Sequence, residues 1–147
     1  MNDSHNYLGG HDWWATNQAT AVTTVTVKTV PVATAKAASG GSPAEGTNLT
    51  NRLVVTAIIL NGTNTNAATT TVLLRDTTGA SVFFRGAMNP TTGSLNVNIS
   101  GLWIPIVADR SIELAVTGAI TGQVGVTLIG KTFPATTPLA QKYDGTA

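Results

Sequence analysis

The chain has 147 residues, of which 42% are hydrophobic, and these values allow one domain with a core of its own but not two. Only 10% of the residues are charged, against a usual share of about 25%, and the net charge is +1 with no basic run. This balance gives no electrostatic footprint for nucleic acid or a membrane surface, so we expect neither as a partner. The absence of cysteine excludes disulfides, thiolate zinc sites and cysteine nucleophiles.

The N-terminal segment, residues 1–18, contains polar and aromatic side chains without a regular period. It lacks the basic start and apolar run of a secretory signal, and no stretch reaches the roughly 20 apolar residues of a membrane span. We therefore expect a soluble protein made in the cytoplasm, whose residues 1–18 form an arm that is ordered only by contacts with another molecule.

The first part of the domain contains extended segments with alternating side chains. In "ATAVTTVTVKTVPV", Val25 and Val27 share one face. After a long loop of small residues and glycines, "RLVVTAIIL" at 52–60 is apolar on both faces, which is typical of a central strand covered by the core on one side and by a partner or a neighbouring element on the other. Residues 68–86 predict two strands joined by the polar turn Asp76-Thr77-Thr78-Gly79.

The second part continues the pattern. "SLNVNIS" alternates apolar and polar side chains, and "GLWIPIV" is short and interrupted by Pro105, which predicts an edge strand. "SIELAVTG" and "QVGVTLIG" predict a hairpin around Gly118 to Gly122, on one face of which Ile112, Leu114 and Val116 lie opposite Val124, Val126 and Leu128. Residues 134–147 are predicted to form a C-terminal tail. About eight short strands without a helical period indicate an all-β fold, an antiparallel jelly-roll-like sandwich at residues 19–133 with extended N- and C-terminal arms.

Few side chains in the sequence suggest chemistry. His5 and His11 with two nearby aspartates match no known metal-ligand spacing, and a flexible arm is a poor cage for a metal ion. Asp109 and Glu113 are four residues apart, in positions typical of a turn aspartate and a surface glutamate. We therefore expect no catalytic residues, no metal, no cofactor and no enzyme activity.

The tryptophans predict a contact with a partner. Trp13 and Trp14 are adjacent, so an extended chain directs them to opposite faces and one core cannot easily take both. At least one of them is then available to anchor a partner, a role in which tryptophan is enriched. Trp103, within "GLWIPIV", fits a core position better.

Residues 50–133 also resemble a known class of protein. The succession "NRLVVTAIILNGTNTNAATTTVLLRDTTG" and "GLWIPIVADRSIELAVTGAITGQVGVTLIG" resembles the small jelly-roll decoration (cement) proteins on the capsids of tailed bacteriophages. The resemblance implies a β-sandwich, often trimeric, that sits where capsid proteins meet, grips neighbouring subunits with its arms and has no catalytic residues.

The resemblance further implies a virion protein on the outer capsid surface, made in the host cytoplasm, with the major capsid protein and two further copies of itself as partners. The candidates for capsid contact are Tyr7, His11, Trp13 and Trp14. The candidates for the homotrimer interface, on a strand that needs a second cover, are Leu53, Val55, Phe83 and Arg85.

A second hypothesis is a receptor- or glycan-binding head of a phage tail fibre or a similar adhesion module. In that case Trp103 or Phe83 would be a stacking platform beside asparagine and aspartate groups. The position of the aromatic side chains distinguishes the two hypotheses, because a decoration protein carries them on its terminal arms and a binding head carries them at loop tips.

Overall fold

The computed structural model describes residues 11–30, 51–89 and 93–134. The described residues contain no helix, and therefore none that could cross a membrane. They form nine strands: β1 (His11–Ala19), β2 (Thr23–Lys28), β3 (Asn51–Asn64), β4 (Thr70–Asp76), β5 (Val82–Met88), β6 (Gly93–Ile99), β7 (Ile104–Pro105), β8 (Ile112–Gly118) and β9 (Gly122–Pro134).

The strands pack as two antiparallel sheets face to face. Sheet A has the order β1-β9-β3-β6, with β7 also paired to β3, and sheet B has the order β2-β8-β4-β5. Chain neighbours such as β1 and β2, β3 and β4, or β8 and β9 lie in different sheets, so most connections cross the sandwich. This order is that of a jelly roll, and it confirms the fold predicted from the sequence.

The predicted N-terminal arm extends into the sandwich, because its residues 11–18 form most of β1. β1 pairs with β9 over its whole length, from His11 opposite Thr132 to Ala19 opposite Val124. The side chain of Asn17 ties β1 to the other sheet by donating to the carbonyl of Thr26 in β2 at 2.7 Å. β1 is the strand that sequence reasoning missed, which explains nine strands in place of about eight.

The predicted hairpin of β8 and β9 is wrong, because β8 pairs with β2 and β4 while β9 pairs with β1 and β3. The predicted faces are nevertheless right. Leu114 and Val116 of β8 are buried in the same core as Val124, Val126 and Leu128 of β9. The two strands therefore meet across the core through their side chains and not through a hydrogen-bonded ladder.

The central strand β3 is buried on both faces at residues 53–55, as its apolar sequence predicts, whereas its outward side chains from Ala57 to Thr63 are partly or fully exposed. Leu53 and Val55 point into the main core between the sheets, and Val54 points to the outer side of sheet A. Phe133 and Trp103 cover Val54, with their ring centroids 5.6 Å apart. At Val54 the second cover of β3 is therefore supplied by this chain.

The buried side chain of Asn64 connects two loops at one end of the sandwich. Its amide oxygen accepts hydrogen bonds from the backbone N–H groups of Asn66 and Thr121, both at 3.0 Å, and its amide nitrogen donates to the carbonyl of Ala68 at 3.1 Å. Thr70, also buried, donates its hydroxyl to the carbonyl of Ala119. These bonds hold the β3–β4 loop against the β8–β9 loop.

Asp76 organises the turn between β4 and β5, as the sequence predicts. Its Oδ1 accepts hydrogen bonds from the Thr78 hydroxyl at 2.7 Å, the Thr78 N–H at 3.1 Å and the Ala80 N–H at 3.2 Å. Burial raises the pKa of this carboxyl, but hydrogen bonds from Thr78 and from the backbone at Ser81 and Ala80 outweigh burial and leave the pKa below its ordinary value.

Asp76→Asn is expected to remove part of the acid sensitivity of folding. A carboxylate whose folded pKa is depressed adds stability above its unfolded pKa of about 3.9, and this stability is lost as the pH falls through the folded pKa. Asparagine keeps the accepting oxygen but does not titrate, so the free energy of unfolding of wild type should fall toward that of the variant over the acid range below about pH 5. Urea titrations across that range measure the difference, and a difference independent of pH would contradict the assignment.

Gly130 of β9 lies opposite Trp13 of β1, and a side chain there has no room. A Cβ at Gly130 would overlap both the carbonyl oxygen of Val54 and the ring of Trp13. The same atom at Gly125, five residues earlier in the strand, would have only the carbonyl oxygen of Asn61 at 3.8 Å as a neighbour. The two glycines are thus a matched pair, of which only Gly130 is required by packing.

Gly130→Ala should lower the free energy of unfolding by about 1–3 kcal/mol or more, because it overpacks the contact between β1 and β9. Gly125→Ala should change it by no more than about 1 kcal/mol. Chemical denaturation of both variants tests the pair, and equal stabilities would show that β1 does not pack on Gly130 in solution.

Candidate interaction surface

The two adjacent tryptophans separate to opposite sides of sheet A, as strand alternation predicts. Trp13 is 9% exposed, belongs to the core and has the amine of Lys28 5.4 Å from its ring centroid. Trp14 is 71% exposed on the outer face of sheet A, which is the face directed away from the core. Of the two, Trp14 is the side chain that another molecule can reach.

The other predicted capsid contacts have different positions. His11 is the first residue of β1, opposite Thr132, and Tyr7 lies outside the described residues. Trp13 would have to leave the core to bind a partner. Removing residues 1–18 would not leave the domain intact, because it would remove most of β1 together with Trp13.

An apolar area surrounds Trp14. Its partner across the strand pair is Ile129 of β9, which is 41% exposed, and the next residue in that row is Ala57 of β3. A shallow depression lies here, and its lining includes the side chain of Thr56. The ion pair of Asp12 with Lys131 borders the area on the side nearer the start of β1.

The same face is polar nearer the start of β9. The hydroxyl of Thr16 donates to the carbonyl of Val126 at 3.0 Å, and the next row places Gln18 and Asn61 on either side of Gly125. Because glycine has no side chain, this row forms a second depression, which continues into a third around Asn61, Asn96 and Gln123. The outer face of sheet A is therefore apolar near Trp14 and lined by amides and hydroxyls beyond it.

The four predicted interface residues do not form one surface. Leu53 and Val55 are fully buried inside the sandwich, so they cannot contact another copy unless the core opens. Phe83 and Arg85 lie on β5, at the edge of sheet B, where Arg85 is exposed and Phe83 packs partly against the core. The register of β4 and β5 shifts at Phe83, which lies between the pairs Leu74–Phe84 and Arg75–Val82, and its side chain is half-buried.

The aromatic platforms of the second hypothesis are not displayed at loop tips. Trp103 covers β3 together with Phe133, and Phe83 is on a strand. Among the large hydrophobic side chains of the described residues, Trp14 has the highest exposure, and it belongs to the N-terminal strand.

The acidic candidates occupy structural positions. Glu113 of β8 pairs with Arg75 of β4, Oε1 to Nε at 2.7 Å. Asp109 has a positive φ of 61° and its N–H donates to the carbonyl of Asn51 at 2.9 Å, which fixes a turn beside β3. Within residues 11–30, 51–89 and 93–134, no three histidine or acidic side chains come together as a metal site would require.

Sequence reasoning missed Ile129 and Gly125 as parts of a surface. Val124, Val126 and Leu128 share one face of their strand, so alternation places Ile129 on the other face, but a single exposed isoleucine is a weak signal of an interaction surface. Gly125 has no such signal, because its effect depends on which side chains of β1 and β3 lie beside it.

Neither a protein-family model nor a curated protein matches this chain. Among solved structures, it is similar to a chain in the capsid asymmetric unit of cyanophage Pam1, with 19% sequence identity and a TM-score of 0.48. The match covers 86% of this chain and 87% of that chain. Similarity of this degree does not indicate a shared function.

Trp13→Ala and Trp14→Ala should separate the two roles. Loss of the buried ring of Trp13 should lower the free energy of unfolding by about 3–5 kcal/mol, as for other large core truncations. Loss of the exposed ring of Trp14 should change it by less than about 1 kcal/mol. Thermal and urea unfolding of the two variants provide the measurement, and a strongly destabilised Trp14→Ala protein would place Trp14 in a packed environment instead.

Proposed function

We propose that this chain is a structural virion protein that binds the outer surface of a phage capsid and stabilises the shell, with the major capsid protein as its partner. Two observations support the proposal. The sequence pattern of residues 50–133 resembles jelly-roll decoration proteins, and the strand order of the described residues is that of a jelly roll. We infer the site of capsid contact from the exposed side chains of sheet A and not from the resemblance.

The observation that carries the proposal is Trp14. It is 71% exposed, sits on a nine-residue strand paired throughout with β9, and is next to the exposed Ile129. An indole held in this way loses little conformational freedom on binding, and buried tryptophans are among the side chains that contribute most to protein interfaces. We infer that Trp14 enters a pocket of the capsid surface with Ile129 beside it.

The proposed role is structural and not catalytic. The function we assign requires no catalytic residue, no cofactor and no metal, and it depends on buried interface area and on the number of copies that bind together. The chain would be made in the host cytoplasm and added to the assembled capsid from outside.

Trp14→Ser should weaken binding to capsids by at least about thirtyfold, which is the effect of losing an anchor of 2 kcal/mol or more. Ile129→Thr should weaken binding in the same direction by a smaller factor. The matched control is Val22→Ser, since Val22 is 52% exposed between β1 and β2, away from the Trp14 row. Co-sedimentation with capsids from a virus mutant that lacks this chain measures all four proteins.

Wild-type protein should also raise the temperature at which those capsids release their contents. Failure of wild type to bind or stabilise them would contradict the proposed function. Equal binding of wild type and Trp14→Ser would be compatible with the proposed function but would show that Trp14 is not the contact.

We further propose that the chain forms a homotrimer through the β5 edge of sheet B. The exposed Val82 and Arg85 and the half-buried Phe83 lie there, whereas Leu53 and Val55 are occupied by the core. Light scattering at micromolar concentration should give three times the chain mass, and Val82→Asp combined with Phe83→Ser should reduce it. A wild-type monomer in solution and on the capsid would contradict the trimer.

A further inference from the structure

The outer face of sheet A is uncharged over a long distance. From the row of Trp14 and Ile129 to the row of Gln123 and Thr63, every described side chain that β1, β9, β3 and β6 direct outward is apolar, hydroxyl or amide. We call this surface the neutral strip. It spans seven residues of β9, or roughly 20 Å, and three strand spacings, or roughly 15 Å.

The charged side chains near the strip are neutralised. Asp12 and Lys131, in the row before Trp14, form an ion pair with each other. The outer side of sheet B differs, since it carries the exposed Arg85 beside the ion pair of Arg75 with Glu113. That side therefore presents an exposed charged side chain, whereas the neutral strip presents none.

The centre of the strip is a trough at Gly125. Its sides are formed by Gln18 of β1 and Asn61 of β3, and Thr16 and Ile59 belong to the row beside it. A Cβ at Gly125 would meet only the carbonyl oxygen of Asn61, at 3.8 Å, so packing does not account for the glycine. The position therefore has room for a side chain and leaves the space open to another molecule.

We propose that the neutral strip, from Trp14 along the Gly125 trough to Gln123, is the surface that docks on the capsid, and that it fits an uncharged protein surface with a ridge that enters the trough. This inference rests on the proposed function. A protein occupant is favoured because the strip begins at an exposed tryptophan and isoleucine, a combination typical of an interface centre, and continues into amides typical of a rim.

The size of the strip determines how binding depends on copy number. Its projected area of roughly 300 Å² is well below the ~800 Å² per partner of a standard interface. One copy is therefore expected to bind weakly, and tight binding to a capsid requires several linked copies, as in the proposed trimer.

The test uses two substitutions that change the strip without disturbing the fold. Asn61→Asp adds a charge at an exposed position with almost no change of shape, and Gly125→Gln fills the trough without adding a charge. The matched controls are Thr117→Asp, exposed on the outer side of sheet B, and Gly125→Ala, which leaves most of the trough open. Unfolding midpoints are measured first, to confirm that all four variants fold.

Asn61→Asp should weaken binding to decoration-free capsids by at least about thirtyfold, because it leaves an unpaired charge in an uncharged interface. Gly125→Gln should weaken binding by tenfold or more, and both controls should bind within threefold of wild type. Wild-type affinity should change less than about threefold between 50 and 500 mM NaCl, since no charged contacts are available to screen.

Three other results would contradict the inference, and each would have a different meaning. If wild type binds capsids and both strip variants bind equally well, the docking surface is elsewhere and the proposed function stands. If wild type does not bind capsids at all, both the docking surface and the proposed function are wrong. Retardation of wild type, but not of Asn61→Asp and Gly125→Gln, in gels containing dextran, amylose or galactomannan would assign the strip to a neutral polysaccharide instead of a protein.

Discussion

The contact of Trp13 with Gly130 is the interaction on which the fold and the candidate surface both depend. β1 is an edge strand, and among the described side chains of its residues 12–19 Trp13 is the only large one in the core. The ring lies so close to Gly130 that any side chain there would collide with it. Because successive side chains of a strand alternate, placing Trp13 in the core also places Trp14 on the outer face.

This coupling gives a physical reason for two tryptophans in succession. A tryptophan on a free arm would have to fix the backbone of each residue in that arm on binding, at about 1–2 kcal/mol per residue. Trp14 sits on a strand whose order is already maintained by pairing with β9 and by the burial of Trp13. More of the energy of burying its ring is then available for binding.

Much of the fold could be predicted from the sequence, because alternation reports which side chains share a face. The strands β4 and β8 and the turn at Asp76 were predicted from the sequence and are found in the structure. Alternation does not report which strand lies next to which, so β8 and β9 were interpreted as a hairpin although they belong to opposite sheets. β1 was missed because, apart from Trp13, its inward side chains are small or polar, which weakens the contrast between its faces.

The candidate surface was harder to predict, since it belongs to four strands and not to one segment. Trp14 was identified from its own neighbourhood in the sequence, but Ile129 and Gly125 acquire a role only through their register with β1 and β3. Phe133 and Trp103 cover β3 at Val54, but Ile59 and Asn61 of the same strand remain partly or fully exposed and belong to the candidate surface.

The ends of the sandwich explain why a face, and not a group of loops, is the better candidate. At one end the buried amide of Asn64 bonds to both the β3–β4 and the β8–β9 loop, and at the other the carboxylate of Asp76 holds its own turn. The polar groups in these turns are therefore used inside the molecule. On the outer face of sheet A, the side chains of Gln18 and Asn61 form no hydrogen bond to other described residues, and the spacing of these two side chains is set by the paired strands that carry them. A surface whose polar groups are both unused and rigidly spaced can bind a large, regular partner without first being ordered.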